Sequence, residues 1–198
     1  DMEIFKEMTP EFIRSRAKVF NAASVIAADT NIPIDTFVYL KHQAKLKSIP
    51  FCVEPVSVPK AAYLKGHLEG IDLITPNIQE AAAIAEMEIT DDDDIEEAAR
   101  VINSRGVGTV VITLGKRGIY MYTGNKGGFL QSLGAKVVDT TGAGDALFAG
   151  MVYGIYNGYS MERSAECGLA CASVAISSSL TVSPMINPSY IEQMIAGV

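Results

Sequence analysis

The residues with the strongest chemical character lie at 137–150, VVDTTGAGDALFAG, where a β-branched run meets a glycine-rich turn and then an apolar helical pattern. A junction of this kind binds anions. The backbone N–H groups at Gly142, Ala143, Gly144 and Asp145 would lack intrahelical partners, the helix dipole adds partial positive charge, and glycine lets a phosphate approach the main chain. Asp145 would stand in the same cradle, and a carboxylate there suits removal of a proton from an attacking hydroxyl. The alternative is a plain helix-capping turn. Neither the GxxxxGK[ST] phosphate loop nor the GxGxxG dinucleotide turn fits, because Leu147 stands three residues after Gly144.

Two more segments fall where an open α/β sheet would place them, past the carboxyl ends of strands, where ligands bind. In TPNIQE (75–80), Asn77 and Glu80 are three apart at a helix start and share a face. They suit a water-coated Mg²⁺, and equally a capping box with no function beyond starting the helix. In VITLGKRG (111–118), a strand runs into a loop with Gly115 and Gly118 three apart, which either passes beneath a nucleotide or forms an ordinary β-turn. The acidic run at 91–94 does not match a calcium-loop spacing, and acids ahead of a helix favour its positive end. Lys60, just after Pro59, reads either as a phosphate contact or as a solvated residue at a helix start.

These residues need a scaffold, and the periodicity supplies one. Short buried strands are predicted at 24–28, 51–53, 71–75 and 108–114, with helices at 34–47, 58–66, 78–86 and 95–104 between them. That alternation predicts a mostly parallel sheet with helices on both faces. Beyond residue 114, the stretch 118–122, a glycine-rich turn at 124–128 and a short strand at 136–138 suggest antiparallel strands at one edge. The last third is helical: 146–156 is apolar almost all round and reads as a central helix, 164–176 is rich in small residues, and 188–195 closes the chain.

Composition narrows the function. At ~150 residues per domain, 198 residues fit one domain, and 48% hydrophobic content excludes intrinsic disorder. A net charge of −7 argues against nucleic acid as the main partner. Cys52, Cys167 and Cys171 are odd in number and lack CxxC spacing, so neither a disulfide framework nor a zinc site is indicated. With no apolar run of about 18 residues and no secretory leader pattern, the expectation is a soluble, cytoplasmic protein with no membrane partner.

Taken in order, TPNIQE, ITLGKRG and DTTGAGDALFAG (139–150) resemble the PfkB, or ribokinase-like, family of carbohydrate and nucleoside kinases. The resemblance covers essentially the whole chain and the C-terminal two-thirds of the family's length. It implies a three-layer α/β/α fold with a mostly parallel sheet, lacking the family's N-terminal strands and β lid. It also implies that Asp145 is the catalytic base and that Gly142, Ala143 and Gly144 form the anion hole. Asn77 and Glu80 would lie near Mg²⁺, Thr113, Gly115 and Gly118 would line the ATP site, and Asp139 with Thr141 would belong to a monovalent-cation loop, K⁺ being the implied ion.

Within the family, Asp1-Met2, ADTNI (28–32), EPVS (54–57) with Lys60, and SSSLTVSP (177–184) look like pseudouridine kinases. Many sugar kinases carry Asp-x-Asn where Glu54 stands and a glycine-containing loop at 179–181. The implied reaction is ATP-dependent phosphorylation of the 5′-hydroxyl of pseudouridine. Alternatives are a kinase of ribose, another sugar or an ordinary nucleoside, and a nucleotide-binding segment that catalyses nothing. The absent substrate half implies that residues 1–198 alone show no appreciable turnover and self-associate or form a homo-oligomer. A fused glycosidase domain in the full-length protein is a further implication of the resemblance.

Overall fold

The computed structural model describes residues 3–180 and 182–196. Asp1, Met2 and Thr181, which belong to the family-like segments, lie outside the described residues. Packing divides the chain into two units: residues 1–112 with 120–128, and residues 113–119 with 129–198.

The first unit carries nearly all of a six-stranded sheet in the order β1 (Ile26–Asp29), β2 (Phe51–Glu54), β3 (Ile71–Ile74), β4 (Val107–Thr113), β5 (Ile119–Thr123), β6 (Lys126–Leu130). The chain enters it through two short helices, α1 (Pro10–Ser15) and α2 (Ala17–Asn21). Strands β1 to β4 are parallel, with Asp29 opposite Glu54, Cys52 opposite Leu73 and Ile74 opposite Val110. Their crossovers hold α3 (Ile34–Lys47), then α4 (Val58–Tyr63), then the pair α5 (Ile78–Ala85) and α6 (Asp92–Ser104). Helix α3 has the predicted limits.

Parallel strands covered on both faces have no solvent side, which is why Phe51, Cys52 and Val53 run apolar without alternation and are all completely buried. Burial, with the charge of Asp72 adding to it, pushes the Cys52 thiol up to about 12.

At the other edge the connections are too short for crossovers, five residues between β4 and β5 and two between β5 and β6, so these neighbours run antiparallel. The predicted turn at 124–128 is shorter than expected. Gly124 (φ 55°) and Asn125 (φ 63°) make the whole turn, both left-handed as a two-residue hairpin requires, and Gly127 and Gly128 belong to β6. A β-carbon on Gly127 would stand 2.6 Å from Cζ of Tyr120, so the glycine serves close packing within the strand pair.

The acidic run starts α6 three residues earlier than the predicted 95. Asp91 caps it by accepting from the Asp94 N–H at 3.0 Å, and Asp92, Asp93 and Asp94 form the first turn. Asp94 also accepts from the N–H and Oγ1 of Thr90 at 2.8 and 2.7 Å, which holds its carboxyl below the usual range.

The second unit is built on α7 (Ala143–Tyr156), α8 (Met161–Ile176) and α9 (Pro188–Ala196). Cys167, Ala170, Cys171 and Val174 of α8 pack with Ile191 and Ile195 of α9. Burial raises the Cys171 thiol to about 11. Helix α7 includes the predicted 146–156 and starts three residues earlier; Leu147, Gly150, Met151 and Gly154 form its buried face, while Asp145, Ala149 and Tyr156 are exposed. The predicted strand at 136–138 does not form either. Val138 and Asp139 donate to the carbonyl of Ile176 at 2.7 and 3.3 Å, so this segment satisfies its backbone against the end of α8 rather than a neighbouring strand.

Candidate active site

In the second unit, a cavity of about 620 Å³ brings together Thr113, Gly115, Gly118, Ala143 and Gly144. The strand-end loop contains a β-turn, closed by the Gly118 N–H donating to the Gly115 carbonyl at 3.0 Å. Gly115 to Arg117 form a 3₁₀ turn, flanked by left-handed Gly115 (φ 59°) and by Gly118 (φ 95°), whose carbonyl accepts from Leu114 N–H at 2.9 Å. A β-carbon at Gly118 would stand 2.6 Å from Ser132 N, so only glycine lets the segment after β6 lie against this loop. Ser132 Oγ in turn donates to the Lys116 carbonyl at 2.7 Å, fixing the cavity wall.

The opposite wall is the start of α7. Gly142 occupies its cap position in the left-handed region (φ 78°) and the helix has no side-chain cap, so no serine, threonine or carboxylate competes for the first-turn amides. Gly144 is exposed, and a β-carbon there would meet nothing within 4 Å. Asp145 is exposed on the same first turn and, among the described residues, its side chain has no hydrogen bond or ion pair. Asp139 accepts from Thr141 N–H at 2.9 Å, which together with its further bonds to Thr141 and Thr140 holds its carboxyl below the usual range.

The remaining walls were not legible as site residues. Leu169, Ala172 and Ile176 of α8 line the cavity with Leu147, although the small residues of α8 read only as packing. The Ala143 N–H, expected to lack a partner, donates to the Thr140 carbonyl at 3.2 Å, so the amides of Gly142, Gly144 and Asp145 are the ones that could meet an anion at the end of this apolar enclosure. A second cavity of about 640 Å³ in this unit is lined by Lys136, Ser173, Ser177, Ser178 and Tyr190, so the serine-rich segment after α8 also opens on a concave surface.

In the first unit, Asn77 and Glu80 form a complete capping box on α5. Asn77 Oδ1 accepts from Glu80 N–H, and Glu80 Oε2 accepts from Asn77 N–H, each at 2.9 Å. Glu80 is only 4% exposed, and burial raises its pKa against the lowering effect of the Asn77 bonds. Every sealed side-chain polar atom among the described residues has a partner, so the second carboxylate oxygen of Glu80, which has none, keeps contact with the surface. Among the described residues no three His, Cys, Asp or Glu side chains converge as a metal cage. With one carboxylate oxygen open to the surface, Glu80 could hold the water shell of a Mg²⁺.

Sequence reading also missed a polar chain at the carboxyl ends of β1 and β2. Asp29 accepts from Asn31 N–H at 2.9 Å and from Asn31 Nδ2 at 2.6 Å, and Asn31 Oδ1 accepts from Lys60 Nζ. Lys60 is half-buried, not a solvated helix-start residue. Beside it Thr75 Oγ1 donates to Glu54, and Thr30 Oγ1 donates to the Pro55 carbonyl. The bonds of Lys60 to Asn31, Thr75 to Glu54 and Thr30 to Pro55 join residues more than twenty positions apart, which local spacing cannot reveal.

The model of the pfkB family of carbohydrate kinases matches residues 5–188, and the chain belongs to that family. It is 28% identical over 189 residues to a pseudouridine kinase of Escherichia coli, covering 94% of this chain and 59% of that protein. It is 30% identical to a ribokinase of Staphylococcus aureus over 73% of this chain and 47% of that one. Among solved structures, a carbohydrate kinase from Agrobacterium tumefaciens superposes with a TM-score of 0.81 at 27% identity, over 99% of this chain and 62% of that one. An Arabidopsis thaliana ribokinase complexed with ribose and ATP superposes at 0.80 with 21% identity, over 91% and 58%, and shares the ribokinase-like α/β fold. The chain thus spans about three-fifths or less of the length of these relatives. Among the described residues, no helix is long and apolar enough to cross a membrane.

Proposed function

We propose that this chain carries the nucleotide-binding and phosphoryl-transferring machinery of an ATP-dependent kinase acting on the 5′-hydroxyl of pseudouridine. The observation that carries the reading is the start of α7: an uncapped helix end behind left-handed Gly142, with unpaired Asp145 on its first turn, beside a cavity of nucleotide size.

In this reading the cavity takes ATP, its apolar walls holding the base and Thr113, Gly115 and Gly118 shaping the loop against it. The amides of Gly142, Gly144 and Asp145 stabilise negative charge on the moving phosphoryl group, the Ala143 N–H being engaged by the Thr140 carbonyl. Asp145 accepts the proton of the attacking hydroxyl. Glu80 and Asn77 of the first unit are the residues that would hold the water of a Mg²⁺, whose chemistry would be to neutralise phosphate charge. Asp139 and Thr141 form a turn that suits K⁺. The substrate assignment rests on the segments ADTNI, EPVS with Lys60 and SSSLTVSP, together with the similarity to the E. coli pseudouridine kinase. The similarity to a ribokinase supports a second reading, a kinase of ribose or another nucleoside.

ADP release by the intact protein with pseudouridine, uridine, ribose and adenosine separates these readings. The first requires the highest kcat/KM for pseudouridine, and a preference for any other acceptor overturns it.

A further inference from the structure

Buried polar side chains need partners, and among the described residues all but one have them. Thr36 donates to the Met8 carbonyl at 2.5 Å, Thr75 to Glu54, and Ser164 to the Ser160 carbonyl at 2.9 Å, while Thr109 pairs with Thr123 at 2.9 Å. Glu80 has its capping box, and Ser183 accepts from Met185 N–H at 3.3 Å. Ser173 of α8 is the exception. It is 5% exposed, yet among the described residues its hydroxyl has no hydrogen bond. The adjacent Ser177 Oγ donates to the Ser173 carbonyl at 2.8 Å and so does not serve the side chain.

A hydroxyl withdrawn from bulk water with no partner is costly. Because every sealed side-chain polar atom has a partner, this oxygen is not sealed, and it opens on the concave surfaces that Ser173 lines. Leu169, Ala172, Ser173 and Ile176 stand at helical spacing on one face of α8, and all four line the cavity of about 620 Å³. The second cavity meets α8 along Val174 and Ser177, beside that face, with Ser173 on the border. In the first cavity the hydroxyl therefore interrupts an apolar wall. Of the other polar side chains there, Ser132 already donates to the Lys116 carbonyl, and Thr113, Lys116 and Thr140 stay open to water. Phosphates find amides at the start of α7, which leaves the wall of α8 to the base. A purine edge carries acceptor ring nitrogens and donor amino groups, and a serine hydroxyl can serve either.

We propose that Ser173 is a specificity-determining residue whose hydroxyl hydrogen-bonds the edge of the nucleotide base. The inference rests on the kinase reading of this cavity and adds to it a polar contact remote from the phosphates.

Calorimetry on the intact protein with ATP and with inorganic tripolyphosphate tests it. One neutral hydrogen bond is worth about three- to tenfold in affinity, so Ser173→Ala should raise the Kd for ATP by that factor and leave tripolyphosphate unaffected. In turnover, KM for ATP should rise while kcat stays unchanged, because Ser173 touches no reacting atom. Alanine removes a single atom, favours the helix and relieves an unpaired buried hydroxyl, so the urea midpoint should hold or rise. An unchanged Kd for ATP overturns the inference, as does an equal loss for tripolyphosphate, which would place the hydroxyl on a phosphate. A lowered midpoint overturns it too, by giving the hydroxyl a structural partner. These results leave the kinase reading standing, whereas failure of the unaltered protein to bind ATP overturns both.

Discussion

Gly150 of α7 faces the Cys167 carbonyl of α8 so closely that a β-carbon built on it would lie 2.6 Å from that oxygen. The same crossing places Gly168 of α8 against α7, where a β-carbon would lie 2.8 Å from the Leu147 carbonyl. Two backbones in near contact hold α7, and with it the glycine turn at its start, against α8.

Gly150→Ala should therefore force the helices apart, although alanine is the better helix former. Overpacking of this kind costs about 1–3 kcal/mol, more than the propensity gain of about 1 kcal/mol. Urea unfolding should show a lower midpoint, and an unchanged or raised midpoint would contradict the packing described.

Gly144→Ala should behave in the opposite way. A β-carbon there meets nothing within 4 Å, so the protein should fold with stability unchanged or raised by up to about 1 kcal/mol. The methyl group would nevertheless occupy the approach to the α7 amides, and the Kd for ATP measured by calorimetry should rise about tenfold. Retained affinity would take Gly144 out of the anion site.

Asp145→Asn in the intact protein should lower turnover by about 10²–10⁴-fold while leaving ATP affinity within a few-fold, since the carboxylate serves the acceptor hydroxyl. Steady-state ADP release beside ATP calorimetry checks this. A variant with more than about a tenth of normal turnover would remove Asp145 from the role of base.

Glu80→Gln isolates charge from shape. The amide oxygen can still accept from Asn77 N–H, so the capping box persists, while the buried charge disappears. Burial raises the folded-state pKa of Glu80 above its ordinary 4.5, so below 4.5 the protonated group carries no penalty. Stability falls as pH rises from there through the raised value. Unfolding midpoints at pH 4.5 and 7 should converge in the variant relative to the unaltered protein, and the Mg²⁺ concentration for half-maximal turnover should increase. An undiminished pH difference would assign it to other groups.

Elements set by local pattern were legible in the sequence, and those set by distant partners were not. Helix α3 has its predicted ends because an apolar stripe lies between Pro33 and the left-handed Ser48. The β-branched run at 136–138 read as a strand, but its hydrogen-bonding partner is the carbonyl of Ile176, nearly forty residues away. Gly127 of β6 read as turn because its reason is the ring of Tyr120 on the adjoining strand. At the site, the glycine turn and Asp145 were visible from type and spacing. Burial of Glu80 and engagement of Lys60 by Asn31 depend on tertiary packing, which leaves no mark in the neighbouring residues.

The three thiols have a practical consequence. Cys52 lies in the sheet of the first unit, and Cys167 and Cys171 lie in the helices of the second, all buried and unbridged. A thiol held protonated and out of contact with water reacts with an alkylating reagent only when its surroundings open. Mass spectrometry of peptides labelled over time would therefore time the opening of each unit separately, with no introduced probe. Added ATP should slow the clock at Cys167 and Cys171, so the chain carries its own reporters of where a ligand binds.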